Sequence, residues 1–172
     1  MQETIKDLKE RRSCRSFRAE QVREEELKQI LEAGIYAPSA RGAQSAIIIV
    51  VQDQETIGKL SELNAAVIGK PELDPFYGAP TVAIVLADKS YPTRVYDGSV
   101  VMANMLNAAH AMGVGSCWIH RAKEMFESEE GKELLEKWGV EGEYEGVGNC
   151  ILGYAEKEGK AAPRKENYIY RV

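Results

Sequence analysis

The sequence is poor in the residues from which most catalytic centres are built. It holds two histidines and three cysteines in 172 residues. His110 and His120 lack the paired spacing of metal ligands and have no clustered acids beside them, so no metal site is expected. Cys14, Cys117 and Cys150 are odd in number and form no CxxC pair, which argues against both a disulfide framework and a thiolate metal centre and fits a reducing cytoplasm. No serine stands in a GxSxG elbow, so hydrolysis by a serine triad has no support. Gly113-Val-Gly115 and Gly146-Val-Gly148 are glycine pairs, but neither completes GxGxxG between a strand and a helix, which excludes a Rossmann dinucleotide fingerprint. Long apolar runs are also missing. The longest, Ala46 to Val51 and Val82 to Ala87, are too short to span a bilayer. The charged start MQETIKDLKERR has no apolar core of the signal-peptide kind, so a soluble cytoplasmic protein is expected. Positive charge is the minority sign, with 22 Lys and Arg against 27 Asp and Glu and a net charge of −5. That balance disfavours a general nucleic-acid or anionic-membrane binder and points to small molecules as partners.

What is present is enough for one core. Apolar residues make up 44% of the chain, and no repeat, long linker or low-complexity tract interrupts it, so a single domain over 1–172 is expected. Ile5 and Leu8 are at helical spacing, as are Leu27, Ile30 and Leu31 between Glu24 and Gly34, where Gly34 is a candidate helix stop. Ala37 to Gly42 reads as a loop and Ala46 to Val51 as a buried β-branched strand. Ile57, Leu60 and Leu63 indicate another helix. The breaker-rich stretch from Pro71 to Pro80 leads into a second buried strand at Thr81 to Leu86. From Asp97 to Met112 the chain is apolar almost all round, with small residues at Ala103, Ala108, Ala109 and Ala111, as in a central buried helix that Gly113 ends. Gly115 to Ile119 follows as a strand or tight loop. A short helix carries Leu134, Leu135 and Trp138, and Val147 to Tyr154 is a third apolar run. Tyr168, Ile169, Tyr170 and Val172 give the tail strand character without an evident local mate. The pattern fits α+β or α/β with a modest sheet.

The strongest local anomaly is Arg11-Arg12-Ser13-Cys14-Arg15-Ser16-Phe17-Arg18, four arginines in eight residues of an acidic chain. Guanidinium groups make paired, charge-assisted bonds to phosphate oxygens, and Ser13 and Ser16 add donors, so an anion site is one reading. A solvated basic turn paired with Glu20 and Glu24 to Glu26 is the other. Arg164 and Lys165 form a second cationic point near the far end. His110 reads as a packing residue, and His120, at an element boundary, as a more site-like one. Cys117 and Cys150 lie in apolar runs and read as core.

Four segments in order, RRSCRSF, APSARGAQ, DGSVVMANMLNAAHAMGVGSCWI and VGNCILGYAEKEGKAAPRK, resemble the nitroreductase family of flavoproteins. The resemblance runs from about Ile5 to the end. It implies an α+β fold with a small, mostly antiparallel sheet flanked by helices. It further implies an intertwined homodimer built around the long central helix, with the C-terminal segment extended across the partner and FMN bound at the interface. Arg11, Arg12, Ser13 and Arg15 would then hold the FMN phosphate and ribityl chain, and Arg164 with Lys165 would complete the phosphate clamp. Pro38, Ser39, Ala40 and Gln44 would face the isoalloxazine from the other subunit, and Ile119 and His120 would lie at its opposite edge or face. The implied activity is ping-pong transfer of electrons from NADH or NADPH through flavin N5 to a nitroaromatic, quinone or similar acceptor, with no catalytic side chain required. The alternatives are a related FMN enzyme with another acceptor reaction, such as dehalogenation or flavin fragmentation, and a non-enzymatic flavin-binding sensor or carrier. Gly42 stands where relatives commonly have Asn, and Ser45-Ala46 where they have Pro-Trp. The loop therefore lacks a side-chain amide at position 42 and a large aromatic at position 46, which leaves the acceptor open.

Overall fold

Alternation of apolar side chains to both faces of one strand sets the architecture. In the computed structural model, which describes residues 2–157 and 159–172, strand β2 (Thr81–Asp88) is buried on both sides. Ala83, Val85 and Ala87 face one apolar cluster, and Val82, Ile84 and Leu86 face the other. A strand sandwiched in this way has no polar face, which is why the sequence shows a continuous apolar run there rather than alternation. Around it lie β1 (Ala46–Val51), β3 (Gly115–Ile119) and β4 (Tyr144–Gly153). The order is β1-β2-β4-β3, and these four strands pair antiparallel throughout. The fold is α+β.

Helices cover both faces. The first cluster is closed by α2 (Glu24–Ile35) and α4 (Arg94–Ala111), the second by α3 (Gln54–Ile68), α5 (Ala122–Glu127) and α6 (Glu129–Lys137). The remaining helix, α1 (Glu3–Glu10), has no buried residue. Met102, Met105 and Ala109 of α4 are fully buried against the sheet, and each methionine contributes about 1.5–3 kcal/mol by leaving water. Gly113 ends this helix region with φ 73°, the left-handed conformation expected of it.

Gly34, in contrast, does not stop α2. The helix continues through Ile35, and Gly34 is buried where a Cβ would meet Met105 Cγ at 2.8 Å. It is present so that α2 and α4 can approach closely. The Gly146-Val-Gly148 pair is explained the same way. A Cβ on Gly146 would sit 2.2 Å from the Ala122 carbonyl carbon, and one on Gly148 would sit 2.4 Å from Trp118 Nε1. The same stretch faces the register shift of β2 between Val85 and Leu86. Because the obstacle at Gly146 is backbone, Gly146→Ala is expected to destabilise the fold by about 1–3 kcal/mol. Urea denaturation should show a lower midpoint with an unchanged slope, and an unaltered midpoint would contradict this packing.

Candidate functional site

The basic segment is an extended strip laid across the ends of two strands. Cys14 N–H donates to Ser116 O at 2.9 Å, Arg18 N–H to Tyr154 O at 2.9 Å, and Glu156 N–H to Ser16 O at 2.9 Å. Ser13 bridges Ser116 in parallel and Phe17 bridges Ala155 in antiparallel fashion. Extended backbone sends successive side chains to opposite sides. Cys14 is buried against Gly115, and Arg15 is exposed.

Among the described residues none of Arg11, Arg12, Arg15 and Arg18 has a carboxylate within ion-pair distance. The acids of the basic-turn reading are engaged elsewhere or point to solvent. Glu26 is buried and takes the Arg23 guanidinium and the Tyr154 hydroxyl, while Glu20, Glu24 and Glu25 are exposed. Arg12 differs from its neighbours, because its Nη1 donates to Lys9 O at 2.8 Å and Arg11 O at 2.7 Å. It thus turns toward the carbonyl end of α1, where the helix dipole favours a cation.

Beside Arg15, β3 ends in a turn built on buried amides. Asn64 of α3 is fully buried. Its Nδ2 donates to His120 O at 2.8 Å, and its Oδ1 accepts from Arg121 Nε at 3.0 Å. Arg121 is left-handed, with φ 76°, a conformation that a non-glycine residue keeps only when held. Asn149 of β4 donates weakly to Ile119 O at 3.4 Å. The resulting depression of about 290 Å3 is lined by Arg15, Leu73, Tyr77, Trp118, Ile119 and His120, among others. Ile119 is buried at its floor and His120 is exposed at its rim. His110, half-buried near the end of α4, borders a separate cleft of about 390 Å3 with Arg12, Ser13 and Lys157.

The loop at 37–45 occupies a different part of the chain. Its shape depends on positive φ at Arg41 (55°), Gly42 (65°) and Gln44 (48°). Gln44 N–H donates to Ser39 Oγ at 2.9 Å. A single buried carboxylate fastens both ends: Asp97 of α4 accepts from Ala40 N–H at 3.0 Å, Ser45 Oγ at 3.0 Å and Thr93 Oγ1 at 3.1 Å. Pro38, Ser39, Gln44, Ser45 and Asp97 line a second depression of about 290 Å3, which shares no residue with the one at Arg15. One chain therefore brings Arg15, Ile119 and His120 together and leaves Pro38, Ser39 and Gln44 apart. Arg164 and Lys165 lie in a tail whose every residue from Gly159 to Val172 is exposed. That tail forms no strand within this chain, and Lys165 Nζ rests 5.0 Å from the Tyr168 ring.

Titration behaviour separates structural groups from reactive ones. Burial pushes the Cys150 thiol up to about 12, so it is a neutral core residue and no nucleophile. The Ala40 N–H holds the Asp97 carboxyl below its ordinary value of 3.8, burial opposes, and Ser45 and Thr93 assist. Glu26 is held low by Arg23 and then Tyr154. A carboxyl whose folded value lies below its unfolded one stabilises the fold fully above the unfolded value, and that stabilisation is lost as pH falls through the folded value. Melting temperature is therefore expected to be level above about pH 5 and to fall below about pH 4. Asp97→Asn should shrink the acid-side drop, and an unchanged profile in that variant would contradict the assignment.

Comparison with known proteins agrees with this fold. The profile of the nitroreductase family matches residues 8–154. A protein of Archaeoglobus fulgidus, provisionally named NADH dehydrogenase/NAD(P)H nitroreductase, is 36% identical over 124 residues, which are 69% of this chain and 68% of that protein. An FMN reductase [NAD(P)H] of Bacillus subtilis is 42% identical over 88 residues, which are 51% of this chain and 33% of that protein. The crystal structure of a Bacteroides fragilis nitroreductase with bound FMN superposes with a TM-score of 0.92 at 26% identity and covers 100% of both chains. A Desulfitobacterium hafniense nitroreductase with bound FMN gives 0.90 at 26% identity, covering 100% of this chain and 99% of that one.

Proposed function

The chain belongs to the nitroreductase family, and on that premise we propose that it is an FMN-dependent NAD(P)H oxidoreductase that works as a homodimer. The observation that carries the reading is the strip Arg11 to Arg15, whose cations lack acidic partners among the described residues, with Arg15 lining the depression that ends at Ile119 and His120 and Arg12 and Ser13 lining the cleft beside His110. Unneutralised guanidinium groups beside a partly apolar depression suit a ligand with a phosphate at one end and a flat ring at the other. The FMN bound in two similar structures has that form.

FMN bound here would supply, at N5, the electron carrier between NADH or NADPH and an acceptor. The protein's own task is binding and orientation. Arg11 and Arg15 hold the phosphate and ribityl end with Ser13, and Arg12 contributes from the end of α1. Arg164 and Lys165 close the clamp. Ile119 and Trp118 give an apolar wall, and the Asn64 amide fixes the His120 carbonyl and Arg121 behind it. Nitroaromatics and quinones are the acceptors we assign, as flat molecules that fit a site vacated by nicotinamide.

Pro38, Ser39, Ala40 and Gln44 reach this ring from the partner subunit, consistent with their separation from Arg15 within one chain. The central helix supports a dimer. Tyr96, Val100 and Ala103 of α4 are exposed at helical spacing, and Ile35 and Tyr36 at the end of α2 are 67% and 78% exposed. Burying such a stripe in a second copy is favourable, and Ala103 allows close approach. FMN titration of the purified protein with mass measurement in solution tests this. The expected result is a dimer with two FMN. A monomer, or a protein that takes up no FMN, would overturn it.

A further inference from the structure

We propose that Asp97 is a positioning residue that acts across the dimer, fixing the 37–45 loop of its own subunit for the FMN held by Arg11 and Arg15 of the other. This rests on the flavin reading above. The carboxylate cannot serve as a contact group, because both oxygens are spent inside its own chain: Oδ1 on Ala40 N–H, Oδ2 on Ser45 Oγ and Thr93 Oγ1. What it controls is the loop between those partners. Ala40 opens the short helical turn Ala40–Gly42, and Ser45, itself buried, stands just before β1. Between them Arg41 and Gln44 are held at positive φ, which non-glycine residues keep only where the surroundings fix them.

Local bonds supplement the carboxylate without replacing it. Gly42 N–H donates to Ser39 O at 3.1 Å, Ala43 N–H to Ala40 O at 3.1 Å, and Gln44 N–H to Ser39 Oγ at 2.9 Å. All of these lie inside the loop. Among the described residues Asp97 alone ties it to α4 by hydrogen bonds, and α4 is anchored by the fully buried Met102 and Met105. A charged acceptor in a buried setting makes stronger bonds than a neutral one, so the loop is presented rigidly from the central helix. Ser45 is one of the departures from relatives, and its hydroxyl is here part of the fastening.

The direction of action makes the test sharp. Chains carrying Arg15→Ala and chains carrying Asp97→Ala are co-produced with different tags, and the mixed dimer is isolated. Each parent homodimer should bind FMN about tenfold or more weakly than wild type, with an altered visible flavin spectrum for Asp97→Ala. If Asp97 acts on the partner's site, one site of the mixed dimer carries both defects. The other has an intact Arg15 from one chain and an intact loop from its partner. The mixed dimer should therefore recover one site of wild-type affinity and wild-type spectrum per dimer.

Asp97→Asn should keep most of the affinity, because the Ser45 and Thr93 hydroxyls can rotate to accept from an amide. Should Asp97→Ala chains fail to fold, Ser45→Ala takes their place in the same pairing, with the same half-recovery of its smaller defect. A mixed dimer with no wild-type site, from a wild-type protein that binds FMN normally, overturns the inference alone. A wild-type protein that binds no FMN removes the flavin reading and this inference with it.

Discussion

Deletion of residues 160–172 is expected to yield a folded protein that has lost both its partner and its FMN. No core residue lies in this segment, so the sheet and its helices should remain. Tyr168, Ile169 and Tyr170 are 72%, 79% and 82% exposed and Val172 is fully exposed, an apolar segment that its own chain does not cover. Each such side chain gains about 1.5–3 kcal/mol when buried, from which the costs of association are subtracted. In the proposed dimer, the free side of β1 in the partner would receive it. That strand is an edge of the sheet, with unpaired backbone groups able to add a strand, beside an apolar depression of about 440 Å3 floored by Leu31, Ile35, Ile48 and Val50. The truncated protein should sediment as a monomer and bind FMN about 100-fold or more weakly, since Arg164 and Lys165 leave with it. A truncated dimer with unchanged FMN affinity would contradict the exchange of tails.

The second large effect is expected at the arginines. Arg15→Ala and Arg164→Ala should each weaken FMN binding by about 1.5–3 kcal/mol, or roughly 10- to 150-fold. Arg15 is the better placed of the strip, because the alternation that buries Cys14 turns Arg15 outward beside Ile119 and His120. Lysine at position 15 should restore part of the loss, as a point charge without the paired geometry of guanidinium. Riboflavin, which lacks the phosphate, should bind the two alanine variants and the wild type alike. Unchanged FMN affinity in both variants would refute the clamp.

These effects differ in how far the sequence foretells them. The strands β1 and β2 and the helix α4 are plain in the sequence because their apolar patterns are long and uninterrupted. The α5 helix, six residues long, is too short for a helical period to register. Gly34 reads as a stop because glycine so often ends helices, yet here it is close packing with Met105 that requires a missing side chain. The site is less legible than the fold. Arg11, Arg15 and His120 stand out by type and order. Asp97 reads only as the start of an apolar helix, because its partners Ala40 and Ser45 are 57 and 52 residues away. Asn64 is likewise hidden in the apolar run before Val67. Polar residues that act by holding a distant loop leave no local pattern, and only burial together with a satisfied bond set discloses them.

The most direct test of the account is anaerobic reduction of the FMN-loaded protein, followed by its visible absorbance. NADH or NADPH should bleach the flavin band, and a quinone or nitroaromatic added afterwards should restore it in the absence of oxygen. FMN that stays oxidised with both nicotinamides would contradict the oxidoreductase assignment and leave a flavin-binding sensor or carrier in its place.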